Sequence, residues 1–242
     1  MNEIILYGLF FLVAFLYASV GHGGASGYLA LMALLGFSAS VMKPTALLLN
    51  VMVSLIAFIS FYRAKHFRAT LLWPLIAASI PFAYLGSILP LSELWYKKIL
   101  GVVLLLSIIR MVLDSSEKPL SPAPKWYVLF AIGAGIGLVS GMIGMGGGIL
   151  LSPILLLMGW SNQKQTAAIS AIFIFLNSMA GIAGQLKTGF DLSAQIWFII
   201  AFVLAGGWLG AYVGAEKLRA KNMKYILAVV LVLAAGKLFF VK

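Results

Sequence analysis

This chain interrupts its own hydrophobic helices twice, in the same way. Gly21-His22-Gly23-Gly24 stands in the first half and Gly144-Met145-Gly146-Gly147-Gly148 in the second, each closing one apolar stretch and opening another. Each glycine inside a helix costs about 1 kcal/mol relative to alanine, so neither cluster continues a helix cheaply. In lipid, the interrupted backbone must also find partners or line a protected cavity. Paired breaks at matching positions of two halves are a pointer to a transporter's binding site. The functional site is expected there.

The surroundings of the breaks define the class. Of 242 residues, 63% are hydrophobic and 10% charged, with a mean hydropathy of +1.09. That excludes an ordinary soluble domain and predicts an all-α polytopic integral membrane protein. A transmembrane barrel needs alternating short strands, which are absent from the pattern. The net charge of +11 would point to nucleic acid in a soluble protein. Here the basic residues sit mostly in short loops, where membrane topology and anionic lipid headgroups account for them, and no nucleic-acid partner is expected. The chain has no cysteine, so neither a disulfide framework nor a thiolate metal site is available. Met1 to Val20 lacks a basic leader and carries Glu3, which reads as a first helix rather than a cleaved signal.

The two halves align along most of their length. Leu34-Leu35-Gly36 matches Leu157-Met158-Gly159, and Lys43-Pro44-Thr45-Ala46 matches Lys164-Gln165-Thr166-Ala167. Farther on, Trp73 pairs with Trp197, Leu85-Gly86 with Leu209-Gly210, and Ile99-Leu100 with Ile226-Leu227. A polar, proline-rich stretch separates them, giving a first repeat over 1–113, a cytoplasmic linker over 114–125 and a second repeat over 126–242. Apolar segments are expected at 4–20, 26–38, 45–62, 70–90 and 97–113, then at 126–143, 149–160, 167–186, 193–214 and 223–241. The second segment of each half is too short to cross a hydrocarbon core of about 30 Å and reads as a half-helix, a re-entrant arm or a steep shielded crossing.

Charge then favours one topology. If the first two segments of each half form a hairpin, the repeats are inverted. The loop of Arg63, Lys65 and Arg68, the linker, Lys164, and the run of Lys217, Arg219, Lys221 and Lys224 then share one side. Lys43, Lys97, Lys98, Lys187 and Lys242 fall on the other. The positive-inside rule prefers this to a scattered arrangement and puts both termini outside. Trp73, Trp95, Trp126, Trp160 and Trp197 flank apolar runs and read as an interfacial belt.

Glycine-rich turns expose consecutive N–H groups, and a helix starting after them adds partial positive charge. Together they make an anion cradle without a charged side chain. The only acids are Glu3, Glu93, Asp114, Glu117, Asp191 and Glu216, all at termini, in loops or near segment ends. Cation transport usually leaves a carboxylate inside the membrane, so an anionic substrate fits better. The candidate substrate-binding set is Gly21, His22, Gly23, Gly24, Thr45, Asn50, Gly144, Gly146, Gly147, Gly148, Thr166 and Asn177. His22, opposite Met145 in the second turn, is either an anion donor or coupling-proton carrier, or a neutral ring satisfied by a backbone carbonyl. Asn50 and Asn177 either bond neighbouring helices or line the cavity. Lys43 and Lys164 either attract anions or snorkel to the interface. Ser54, Ser140, Ser152, Ser170 and Ser178 are weaker candidates, because a membrane serine readily bonds its own helix. No catalytic triad, metal-ligand cluster or phosphate loop appears, so neither an enzyme nor a cofactor is expected.

Ser19-Val-Gly-His-Gly-Gly24, paired with Ile143-Gly-Met-Gly-Gly-Gly148-Ile-Leu-Leu-Ser-Pro153, resembles the duplicated motif of the sulfite exporter TauE/SafE family. Lys164-Gln-Thr-Ala167 and Asn177-Ser-Met-Ala-Gly181 resemble its next element, and the likeness spans essentially the whole chain. It implies movement of small anions, chiefly sulfite, sulfonates and related organosulfur compounds, across the bacterial inner membrane. His22 and Ala25 depart from the family's fuller glycine pattern in the first half. Expected partners are thus a small anion, a coupling proton and membrane lipid, with a homo-oligomer left open. Against this secondary transporter stand an anion channel and a non-transporting accessory module.

Overall fold

The computed structural model describes residues 3–113, 120–122, 124–189 and 196–216. These residues form helices without strands: α1 (Glu3–Ala18), α2 (Ala25–Leu34), α3 (Ala39–Arg63), α4 (Ala69–Ile88), α5 (Glu93–Leu113), α6 (Trp126–Ile143), α7 (Gly148–Leu157), α8 (Gln163–Thr188) and α9 (Ile196–Glu216). Among them α3, α4, α6, α8 and α9 are long and apolar enough to cross a membrane, and the chain is a multi-pass membrane protein. The segment expected at 223–241, with Asp114, Glu117, Asp191 and the basic run after Glu216, lies outside the described residues.

Each break is built from the same hydrogen bonds. Gly21 and Gly144 take left-handed backbone, at φ 76° and 80°. The next N–H, of His22 or Met145, reaches back to the carbonyl of Tyr17 or Ser140, which is the glycine-terminated helix end that left-handed backbone permits. Gly24 and Gly147, left-handed again, then start the ten-residue helices α2 and α7. Both short helices close on another left-handed glycine, Gly36 or Gly159. At 1.5 Å per residue each reaches only about 15 Å, half a hydrocarbon core.

The packing repeats as well. Matching α1–α4 to α6–α9, the contact of α1 with α9 corresponds to that of α6 with α4, and α3 with α9 corresponds to α8 with α4. One hydrophobic cluster joins α1, α2, α3, α5 and α9 and reaches Ile143, Met145 and Ala171 of the second half, and another joins α4, α6, α7 and α8. The fourth helix of each half therefore packs with the first and third of the other. Glycines at every fourth position bring those crossed pairs close. Gly133, Gly137 and Gly141 of α6 lie against the backbone of Leu75, Ser79 and Ala83, and Gly206, Gly210 and Gly214 of α9 against that of Phe11, Phe15 and Ser19. Small residues let membrane helices approach this closely, where dispersion rather than the hydrophobic effect holds them. The rising register makes both pairs parallel, while Asn50–Ser178 and Leu47–Gly181 contacts make α3 antiparallel to α8.

Polar groups sort to the two ends of the bundle. Lys164 Nζ donates to the Ala215 carbonyl at 3.1 Å; the neighbouring His66 imidazole is held below its usual range by its own partial burial first and by the Lys164 charge second. At the opposite end Lys43 Nζ donates to the Ser87 carbonyl at 2.8 Å, which Gln185 Nε2 also reaches at 2.7 Å. Trp73, Trp95, Trp126 and Trp197 all face outward.

Candidate functional site

The two breaks meet between α3 and α8, where the two hydrophobic clusters touch. One side chain holds them together. Asn50, fully buried on α3, accepts from the N–H of Ala25 at the start of α2, 3.0 Å away. Its amide nitrogen donates to the carbonyl of Met145 in the second turn at 3.1 Å and to Ser178 Oγ at 3.3 Å. Asn50 thus spends its hydrogen bonds on positioning both breaks. In the register that pairs Lys43 with Lys164, its counterpart is Ala171, so this clamp has no duplicate.

The glycines beside Asn50 are required by space as well as by backbone. A Cβ on Gly23 would overlap Asn50 Oδ1, and one on Gly146 would come within 2.7 Å of Ser178 Oγ and 2.8 Å of Asn50 Nδ2. Gly21 packs on Ala167 of α8, and Gly144 packs on Lys43 of α3, so each turn leans on the third helix of the other half.

A small pocket opens beside this junction. It is lined by His22 through Ser26 with Tyr17 and Asn50, and on the second half's side by Met145, Ile149 and Ile174. It has room for little more than a water, so anything larger enters only if the two clusters part. No carboxylate lines it. Among the described residues, no three His, Cys, Asp or Glu side chains are grouped to hold a metal.

Of the sequence-predicted set, His22, Gly23, Gly24 and Asn50 line this pocket. Gly144, Gly146, Gly147 and Gly148 shape the second turn behind it, and Gly21 supports the first. Thr45 and Thr166 are buried but not in its lining, and the Thr166 hydroxyl is engaged 2.6 Å from Ser161 Oγ. Asn177 points elsewhere too: its amide nitrogen donates to Ser79 Oγ of α4 at 3.0 Å and to the Phe173 carbonyl at 2.8 Å. Lys43 and Lys164 neither line the pocket nor lie free at an interface. Each instead places its ammonium on a carbonyl in the last turn of the following helix, α4 or α9, where a cation is worth about 0.3–1 kcal/mol against the helix dipole.

His22 bridges the clusters. Its Nδ1 lies 3.0 Å from the Val20 carbonyl and therefore carries hydrogen, while Nε2 lies 2.9 Å from Ser152 Oγ on α7. Ser152 also approaches Ser170 Oγ at 2.8 Å and the Gly148 carbonyl at 2.9 Å. The serine rule holds for Ser54 and Ser140, which bond their own helices. It fails for Ser152, Ser170 and Ser178, which bond across elements. Sequence reasoning missed Tyr17 and Ser26, whose hydroxyls pair at 2.7 Å on the pocket wall. Their only signal is position, one polar group on each side of a break.

Two broken membrane helices meeting at a buried polar junction define a transporter class of architecture. The family model for the sulfite exporter TauE/SafE matches residues 6–238, and the chain belongs to that family. It is 38% identical over 237 residues to "Probable membrane transporter protein y4hK" of Sinorhizobium fredii (strain NBRC 101917 / NGR234), covering 96% of each chain. It is also 29% identical over 136 residues to "Probable membrane transporter protein YunE" of Bacillus subtilis (strain 168), covering 55% of this chain and 48% of that one. No solved structure matches.

Proposed function

We propose that this membrane transporter is a secondary carrier of a small anion, sulfite or a sulfonate or a related organosulfur anion, in the bacterial inner membrane. The observation that carries the reading is the meeting of both glycine breaks at a pocket that combines glycine backbone, the polar side chains of Tyr17, His22, Ser26 and Asn50, and the apolar ones of Met145, Ile149 and Ile174, without a carboxylate. The family supplies the sulfur chemistry, and its bacterial relatives supply the setting.

The two repeats are inverted in this reading. Support comes from the antiparallel α3 and α8, the exchange-symmetric contacts, and the grouping of Lys164 with the His66 loop away from Lys43 and Gln185. The bodies that rock are then the crossed clusters, α1–α3 with α9 against α6–α8 with α4, rather than the sequence halves. Their contact runs through the pocket, so opening on either side exposes the same site.

Purified protein in proteoliposomes tests this with sulfite, thiosulfate, ethanesulfonate and lactate. Saturable flux of a sulfur anion is the expected result. Non-saturating flux of channel size would replace the carrier by a channel, and no flux from folded protein would leave an accessory role.

A further inference from the structure

Both protonation states of His22 are already provided for by its neighbours. With a neutral ring, Nδ1–H donates to the Val20 carbonyl and Nε2 accepts from the Ser152 hydroxyl, 3.0 and 2.9 Å away. With a charged ring, Nε2–H donates to Ser152 Oγ instead, and the Ser152 hydrogen turns to the Gly148 carbonyl at 2.9 Å. In either state Ser170 can donate to Ser152 Oγ, 2.8 Å away. Of these groups, none is stranded by the change. That matters because a stranded group costs about 1–3 kcal/mol, enough to lock a ring into one state.

The ring is also the member of this chain that reaches the pocket. His22 is half-buried and lines it, whereas Ser152 and Ser170 are fully buried behind. Tyr17 is the other titratable residue of the lining, Asn50 comes from α3, and Ser152 and Ser170 come from α7 and α8. Lys164, on the same helix as Ser170, holds its ammonium on the Ala215 carbonyl at 3.1 Å. An imidazolium would thus be the one full positive charge in the lining, beside the α2 N-terminus. The second turn has Met145 at the matching position and offers no such group.

We propose that His22 takes up a proton when the anion binds and that the two cross together, the proton on Nε2 and the anion against the α2 turn. This rests on the anion-carrier reading above and deepens it. One proton enters from water to Nε2 as one anion enters the pocket, and both leave on the far side as the Ser152 hydroxyl returns to Nε2. By linkage, whatever factor the anion adds to proton binding, the proton adds to anion binding. While the ring is mostly neutral, half-saturation by a fixed-charge anion therefore falls by up to about tenfold for each pH unit of acidification.

The chain has two histidines, His22 and His66, so histidine-selective 15N labelling gives two rings, told apart by His66→Gln. The protein is reconstituted at a fixed pH near neutrality, and its spectrum is recorded with and without sulfite or ethanesulfonate, the latter having no proton to lose in this range. Flux is measured on the same preparation. The expected result is that the transported anion converts the His22 ring from the Nδ1–H neutral form to imidazolium. His22→Met, which copies the second turn, is expected to lose accumulation driven by a pH gradient, with any residual anion exchange indifferent to that gradient. Saturable flux of either anion with an unchanged His22 ring overturns the proton proposal and leaves the carrier standing. Gradient-driven accumulation by His22→Met overturns it as well. Absence of binding and flux for both anions, from folded protein, overturns the carrier reading and the proposal together.

Discussion

Asn50→Ala is expected to abolish transport and to lower the thermal unfolding midpoint of the detergent-solubilised protein more than any other single truncation near the site. The substitution strands the Ala25 N–H, the Met145 carbonyl and the Ser178 hydroxyl, all at the buried junction. Interhelical polar contacts in membrane bundles average only about 0.6 kcal/mol, because a separated helix finds other partners. Two of the stranded groups here are backbone groups inside a helix break, where their own helices offer no replacement. The cost therefore moves toward the stranded-group range, about 3 kcal/mol or more for the set. Asn50→Asp separates charge from geometry. It keeps an acceptor for Ala25 N–H, turns an acceptor toward the Met145 carbonyl, and adds negative charge to the proposed anion site, so anion flux should vanish there too. Near-normal flux in Asn50→Ala would remove the clamp from the account.

The second large effect concerns the glycines. Gly146→Val should reduce flux to background while some folded protein remains, and Gly23→Val should do the same for a different reason. Gly146 sits at φ 68°, which a β-branched residue adopts only with strain, and its Cβ would crowd Ser178 and Asn50. Gly23 is spatially constrained alone, its Cβ overlapping Asn50 Oδ1. Overpacking of this kind costs about 1–3 kcal/mol, and here it also pushes the two turns apart. Gly135→Ala is the internal control: its Cβ would meet nothing within 4 Å, and flux and unfolding midpoint should stay near wild type. A flux assay with a matched thermal melt checks all three variants. Saturable flux in Gly146→Val at the wild-type rate would count directly against the junction.

Much of this was legible because left-handed backbone is written as glycine. Gly21, Gly24, Gly144 and Gly147 announce the breaks, and the hydrophobic stretches announce the helices on either side. Element ends were less legible. Residues 39–44, with Lys43 and Pro44, fall between the expected segments 26–38 and 45–62, yet α3 begins at Ala39, because Lys43 buries its stem under Gly144 and reaches the Ser87 carbonyl. The exchange of α4 and α9 between halves was not legible, since it depends on glycine faces meeting backbones far away in sequence. Nor was the division between Asn50 and Asn177. Both are amides on apolar helices, and only the partner each meets, two turns for Asn50 and α4 for Asn177, tells the amide that lines the pocket from the one that does not.

In the proposed mechanism the junction of the two breaks lies on the anion's path and opens to both sides. The natural chain has no cysteine, so Ser26→Cys, on the pocket wall, places a single thiol there. The decisive measurement is its rate of modification by a membrane-impermeant anionic maleimide, in right-side-out and inverted vesicles, with and without the transported sulfonate. Modification from both sides, slowed by the sulfonate on each, is the expected result. A thiol that stays unreactive from both sides, in vesicles that still transport the anion, would place the path elsewhere.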